Sequence, residues 1–199
     1  MLLIVVPSIY AVMADLPSYS SGNAWDEVHV WIVYLGRIGL VVYLLWRDDP
    51  ILGMLGLTGK IWREVACGCL IAIPAFMVHN LALDIGARCC GYGDLPEGPI
   101  ERASPIVLLP ITILLGAAVE EMVFRCYLWV RLADLTRSPL LSLLVCSVVF
   151  GLAHGHGAAF VLSTCVSGAV WGLCYWATGR LQRVVIAHWV ENLVRTFAL

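Results

Sequence analysis

Glu120, Glu121 and Arg125 put two carboxylates and a guanidinium into a stretch that otherwise reads as apolar helix. On a helix Glu121 and Arg125 stand at i and i+4 and can pair, whereas Glu120 points about 100° away from Glu121. One carboxylate is neutralised locally and the other is left over. Each such charge costs roughly 2.5 to 3.5 kcal/mol at a bilayer centre on an insertion scale, so these residues need a reason to be there. A leftover carboxyl in an apolar bundle can take up and return a proton, which is what general-base work requires.

Two further groups follow in the sequence. Phe150-Gly-Leu-Ala-His154 ends a helical run with an imidazole, and His188-Trp-Val-Glu-Asn192 sets an imidazole and an amide on one helical face. Taken singly, His154 reads as a helix-end histidine and Asn192 as an interhelical hydrogen-bonding residue. Taken together, EExxxR, FxxxH and HxxxN, in this order on three helices, resemble the signature of the CPBP family. These are the CAAX-processing and bacteriocin-processing intramembrane proteases, also called Abi proteins or type II CAAX prenyl endopeptidases. The resemblance covers about half the chain, Ser104 to Leu199, and departs from the family at one place: a glycine usually follows the motif arginine, and here Cys126 does.

The resemblance implies an α-helical bundle whose polar cavity is lined by Glu120, His154, His188 and Asn192. In that scheme Glu120 and His154 activate a water that attacks a peptide carbonyl, while His188 and Asn192 stabilise the oxyanion. Arg125 holds a carboxylate in place, and Glu121 is either that partner or a second proton carrier. Members are often named metalloproteases, and Glu120, His154, His156 and His188 could supply zinc ligands. No HExxH pair is present, however, so the expectation is a glutamic-type hydrolase with no cofactor, zinc being the less favoured variant. His156 takes a minor role.

Helices must position these groups. With 61% hydrophobic residues, 13% charged and a mean hydropathy of +0.89, the chain lies outside the soluble globular range. It reads as all-α, a polytopic transmembrane bundle of six to seven or eight helices around an intramembrane polar cavity. A net charge of -2 without a basic run argues against nucleic-acid binding. Met1 to Ala14 lacks a basic n-region and carries Pro7, so it reads as a short first membrane segment rather than a signal peptide. Asp15 to Glu27 is a polar loop. Val28 to Trp46 spans with Arg37 inside it, and Arg63 to about Ile85 spans with a kink at Pro74 and a hydrogen-bonded, structural His79.

Ala87 to Arg102 carries turn chemistry. Ser104-Pro105 reads as an N-cap with proline at N1, opening a helix that runs through Pro110 and Glu120 to about Arg131. Ser138-Pro139 starts the next helix in the same way. Ala158 to Ala177 follows, with Ser163, Ser167, Gly168 and Gly172 permitting close packing, and Thr178-Gly179 ends it. Gln182 to Leu199 is the last helix. The chain thus divides into residues 1–103, N-terminal membrane segments and loops, and 104–199, the catalytic core, in one integrated membrane domain. Of eight cysteines, only Cys89 and Cys90 look loop-borne.

The expected function is endopeptidase cleavage of a membrane-associated protein or peptide, with the lipid bilayer as the other partner. The substrate is a prenylated CAAX tail, a bacteriocin leader or a C-terminal sorting tail; the sequence does not choose. The location is multi-pass in the cell inner membrane of a prokaryote or the endoplasmic reticulum of a eukaryote. The alternative is a non-catalytic immunity or peptide-binding membrane protein, and a transporter is disfavoured because no halves are duplicated. Arg47, Lys60, Arg63, Arg131, Arg137, Arg180 and Arg183 fall on one face of the zigzag, and Arg88 and Arg102 on the other, which makes the first face cytoplasmic. A cysteine placed at Gly93 in a cysteine-free background should therefore be labelled from the extracytoplasmic side, and one at Ser138 from the cytoplasm. The reverse labelling would invert the zigzag.

Overall fold

A computed structural model describes residues 24–48, 60–91, 108–154 and 157–198, and these are all helical or helix-connecting. They form six helical rods. We label them α1 (Ala24–Asp48), α2 (Ile61–Cys90), α3 (Leu109–Glu121) continued by a π segment (Met122–Trp129) and α4 (Val130–Thr136), α5 (Pro139–Ala153), α6 (Ala158–Thr178) and α7 (Leu181–Ala198). Six are thus seen among the described residues where six to seven or eight were expected, and Met1 to Ala14, expected as a further segment, lies outside them.

Several boundaries follow from local chemistry. Ser138 caps α5, its Oγ accepting from the Leu141 N–H at 3.3 Å, with Pro139 just inside. Gly179, at φ 60, stops α6 in the left-handed conformation that glycine adopts freely. Two expectations are corrected. The second span does not end near Ile85: α2 continues to Cys90, so Cys89 and Cys90 form its last turn rather than a loop. The helix runs through Gly86 and ends where Gly91 takes φ 77. Likewise α1 begins at Ala24, ahead of the expected Val28. The start expected at Ser104 falls outside the described residues, where the helix is first seen at Leu109 and runs on to Thr136 through its π segment.

The rods alternate in direction. Trp31 Nε1 donates to Thr112 Oγ1 at 2.8 Å, so α1 and α3 begin side by side, and Trp189 Nε1 of α7 donates to the Pro110 carbonyl at 2.8 Å. At the other end Arg183 grips Glu64 through Nε and, at 3.2 Å, Nη2, clamping the starts of α7 and α2. The Trp129 and Tyr175 rings meet edge to face there, 5.6 Å apart. Lys60, Arg63, Arg131, Arg137, Arg180 and Arg183 consequently share one end of the bundle. Phe124, Phe150, Val119, Val184 and Trp171 fill the core between α3, its π segment, α5, α6 and α7.

Close crossing of α5 and α6 sets the position of His154. A Cβ added at Gly151 would stand 2.7 Å from the Val161 carbonyl and 2.9 Å from the Cys165 N, backbone atoms that cannot swing aside. Cys165 Sγ is nearer still at Gly151, whereas at Gly172 both near atoms belong to the Leu143 side chain and no backbone atom is close. Gly151→Ala should therefore destabilise the detergent-solubilised protein by about 1 to 3 kcal/mol, and Gly172→Ala by less, as read from thermal unfolding. Equal effects would argue against the tight crossing.

Candidate active site

Glu121 is fully buried, at 0% exposure. Its Oε1 accepts from His188 Nδ1 at 2.9 Å, and its Oε2 lies 3.0 Å from Arg125 Nε. The second contact is an ion pair and not a well-aligned hydrogen bond, since Oε2 lacks a donor in bonding geometry. Arg125 directs its Nη2 to the Gly168 carbonyl at 3.0 Å and lies 5.1 Å from the Phe150 ring centroid, within cation–π range. The expected pairing of Glu121 with Arg125 is thus present, with His188 added to it.

Glu120 faces the other way. Its side chain is 25% exposed, and Oε2 sits 3.6 Å from His188 Nε2 and 3.9 Å from His154 Nε2. Both imidazoles have committed their other nitrogen: His188 Nδ1 to Glu121, and His154 Nδ1 to the Phe150 carbonyl at 2.8 Å. A carbonyl only accepts, so His154 Nδ1 carries the hydrogen and Nε2 is turned toward Glu120. Two imidazole Nε2 atoms and a carboxylate oxygen therefore converge, and such a trio is stable only with a proton or a donor among them. The separations exceed direct hydrogen-bond length, the range in which a bridging water is the usual partner.

Asn192 shares a cleft with one member of this trio, Glu120. It lines an open cleft of about 220 Å³ between α1, α3 and α7, together with Glu120 and Arg195, whereas neither His154 nor His188 lines that cleft. Glu120 is the residue common to both places. Cys126, where the family has glycine, is fully buried with Sγ 3.6 Å from the Tyr175 hydroxyl. His156 lies outside the described residues. Among the described residues no group of three His, Cys, Asp or Glu side chains is arranged to hold a metal ion.

Several residues of the site have no sequence signal. Trp171 stacks on His188, ring centroids 4.0 Å apart and planes 19° from parallel, fixing the imidazole between a carboxylate and an indole. Glu191, 1% exposed, meets His79 Nδ1 at 3.3 Å, and His79 Nδ1 also meets Ser167 Oγ at 2.6 Å. His79 is therefore hydrogen-bonded as expected, but its partners come from α6 and α7. The π segment was also not foreseen. Met122–Trp129 contains neither proline nor glycine to mark it, and seven of its residues, Met122 to Leu128, are buried.

Residues 102–194 match the family model described as Rce1-like, type II CAAX prenyl endopeptidase. The match agrees with the CPBP resemblance. It takes in every candidate residue from Glu120 to Asn192, and the family is one of membrane-embedded proteases. No curated protein and no solved structure matches the chain.

Within this Rce1-like region Arg125 is buried beside a buried carboxylate, so its removal leaves Glu121 short of a cation. Breaking one side of such a pair costs on the order of 3 to 5 kcal/mol. Arg125→Ala should lower the melting temperature and the yield of folded protein, measured by fluorescence-detected size exclusion. An unchanged melting temperature would show that Arg125 does not hold the centre together.

Proposed function

We propose that the protein is an intramembrane endopeptidase of the glutamic type, cutting a peptide bond in a membrane-associated protein or peptide. The observation that carries this reading is Glu120 Oε2 facing the Nε2 atoms of His154 and His188 while both Nδ1 atoms are held elsewhere. In this reading Glu120, aided by His154, takes a proton from a water as its oxygen bonds to the scissile carbonyl carbon. The carbonyl electrons move onto oxygen, where the Asn192 amide supplies one donor and His188 Nε2, once that ring carries a proton on both nitrogens, supplies the other. Collapse of this adduct breaks the C–N bond, and the proton held by Glu120 and His154 passes to the leaving amine. Arg125 and Trp171 keep Glu121 and His188 in place, and no metal or cofactor takes part.

The membrane setting is part of the proposal. α2 and α6 are long and apolar enough to cross a bilayer, and in α2 only 22% of the apolar window is buried. A helix of that composition with Leu70, Ile73, Met77 and Leu81 exposed is suited to lipid rather than to a soluble core. α5 exposes Leu140, Leu141, Leu144, Val148 and Leu152 in the same manner. We read the whole as a multi-pass bundle.

Glu120→Gln and His154→Ala should each abolish cleavage of a reporter peptide in liposomes, in the presence of a chelator, without loss of helicity. Asn192→Ala should fold and lower kcat by about 10²- to 10³-fold with little change in KM, as expected for an oxyanion donor. Retained turnover by Glu120→Gln would favour a peptide-binding protein instead, and activity that a chelator removes and zinc restores would replace the metal-free scheme.

A further inference from the structure

We propose that His79 of α2 is a positioning residue for the oxyanion site: through Glu191 it fixes the rotation of α7 that points Asn192 into the cleft shared with Glu120. His79 lies upstream of residues 102–194, the stretch that matches the family. The role rests on the oxyanion function given above to Asn192.

A buried imidazole in an apolar helix is costly and needs a reason. Apart from Glu64 at its start, the buried face of α2 is small, with Gly68, Ala72, Ala75, Gly86 and Ala87, and His79 stands in its middle. The helix thereby comes close to both neighbours. A Cβ added at Gly68 would lie 3.0 Å from the Arg183 carbonyl of α7, and one at Gly86 would lie 2.9 Å from Ala159 Cα of α6. Between these approaches His79 bridges the two helices: its Nδ1 lies 2.6 Å from Ser167 Oγ of α6 and 3.3 Å from Glu191 Oε1 of α7. An ionised carboxylate only accepts, so Nδ1 carries the hydrogen. Nε2 is buried with no hydrogen-bond partner among the described residues, so the polar contacts that orient the ring are all made at Nδ1.

Glu191 carries this constraint to the site. At 100° per residue Glu191 and Asn192 project on either side of His188, about 60° one way and about 40° the other. His188 is tied to Glu121 of α3, and Glu191 to His79 of α2. Two ties in different directions, about one turn apart, stop α7 from turning about its axis, which a single tie does not. Arg195 also meets Glu191, at 3.4 Å, but it belongs to α7 and turns with it, so it cannot replace His79. A turn of about 10° moves a side-chain tip about 6 Å from the axis by about 1 Å. A displacement of about 1 Å costs up to about 10²-fold in rate.

The test is the kcat and KM of the full chain in liposomes, on the reporter peptide, for wild type, His79→Leu, His79→Asn and His79→Gln, each with and without Asn192→Ala. The Asn amide nitrogen falls where Nδ1 stands, and the Gln amide nitrogen where Nε2 stands. His79→Leu and His79→Gln should lower kcat about 10- to 100-fold with KM within about 2-fold, and His79→Asn should restore kcat to within about 3-fold of wild type. In the Asn192→Ala background the same His79 changes should cost less than about 2-fold, because the donor they displace is already gone, whereas independent losses multiply. Equal kcat for the Asn and Gln variants, multiplied losses in the double variants, or a lowered melting temperature with kcat unchanged would overturn the role. Where His79→Leu does not fold, the Asn and Gln variants carry both comparisons. Turnover by Glu120→Gln would remove the protease reading and this role with it. An inactive Glu120→Gln together with independent His79 and Asn192 losses would remove the role alone.

Discussion

The structure depends on a carboxylate that water never reaches. Glu121 lies at 0% exposure, and burying an ionised group is tolerable only where partners replace its hydration. Arg125 and His188 do so from two directions, and each brings a helix with it. Arg125 reaches on to the Gly168 carbonyl of α6, and His188 belongs to α7. The charge at Glu121 thereby fixes how α3, α6 and α7 sit against each other. Replacing it with a hydrophobe would fill the space but remove the register between those helices.

Phe150 shows how apolar and polar duties coincide in one residue. Its ring packs edge to face on Phe124 and Trp171, 5.0 Å and 5.8 Å between centroids, and lies against the Arg125 guanidinium. Its carbonyl meanwhile binds His154 Nδ1. The aromatic four positions before a histidine thus sets both the cushion beneath the buried cation and the tautomer of the imidazole. Trp171 plays the matching part for His188. The two imidazoles reach Glu120 in defined orientations because neither ring is free to turn.

What could be read in the sequence was what a single helix decides. The Glu121–Arg125 spacing, the Ser138 cap, the Gly179 stop and the small residues of α6 are local, so periodicity and turn chemistry expose them. The convergence of Glu120, His154 and His188 was reached through resemblance, because no local rule joins positions on three helices. Partners such as Ser167 and Glu191 for His79 were not legible for that same reason: they meet across 88 and more positions. The last turn of α2 was missed because Ala87 to Cys90 tolerates either state and the glycines beyond drew the loop too early. The wide turn at Met122–Trp129 carries no proline or glycine to announce it.

The clamp of Arg183 on Glu64 joins residues 119 positions apart, and α7 supplies its far half along with His188 and Asn192. A chain that ends after α3 and its π segment therefore holds two acids that each still lack a partner from α7. Glu64 waits for Arg183, and Glu121 has Arg125 but not the imidazole. Both contacts belong to α7, so neither exists until that helix is in place. A chain that stops before its last helix thus carries Glu64 without its arginine and Glu121 with only one of its two partners.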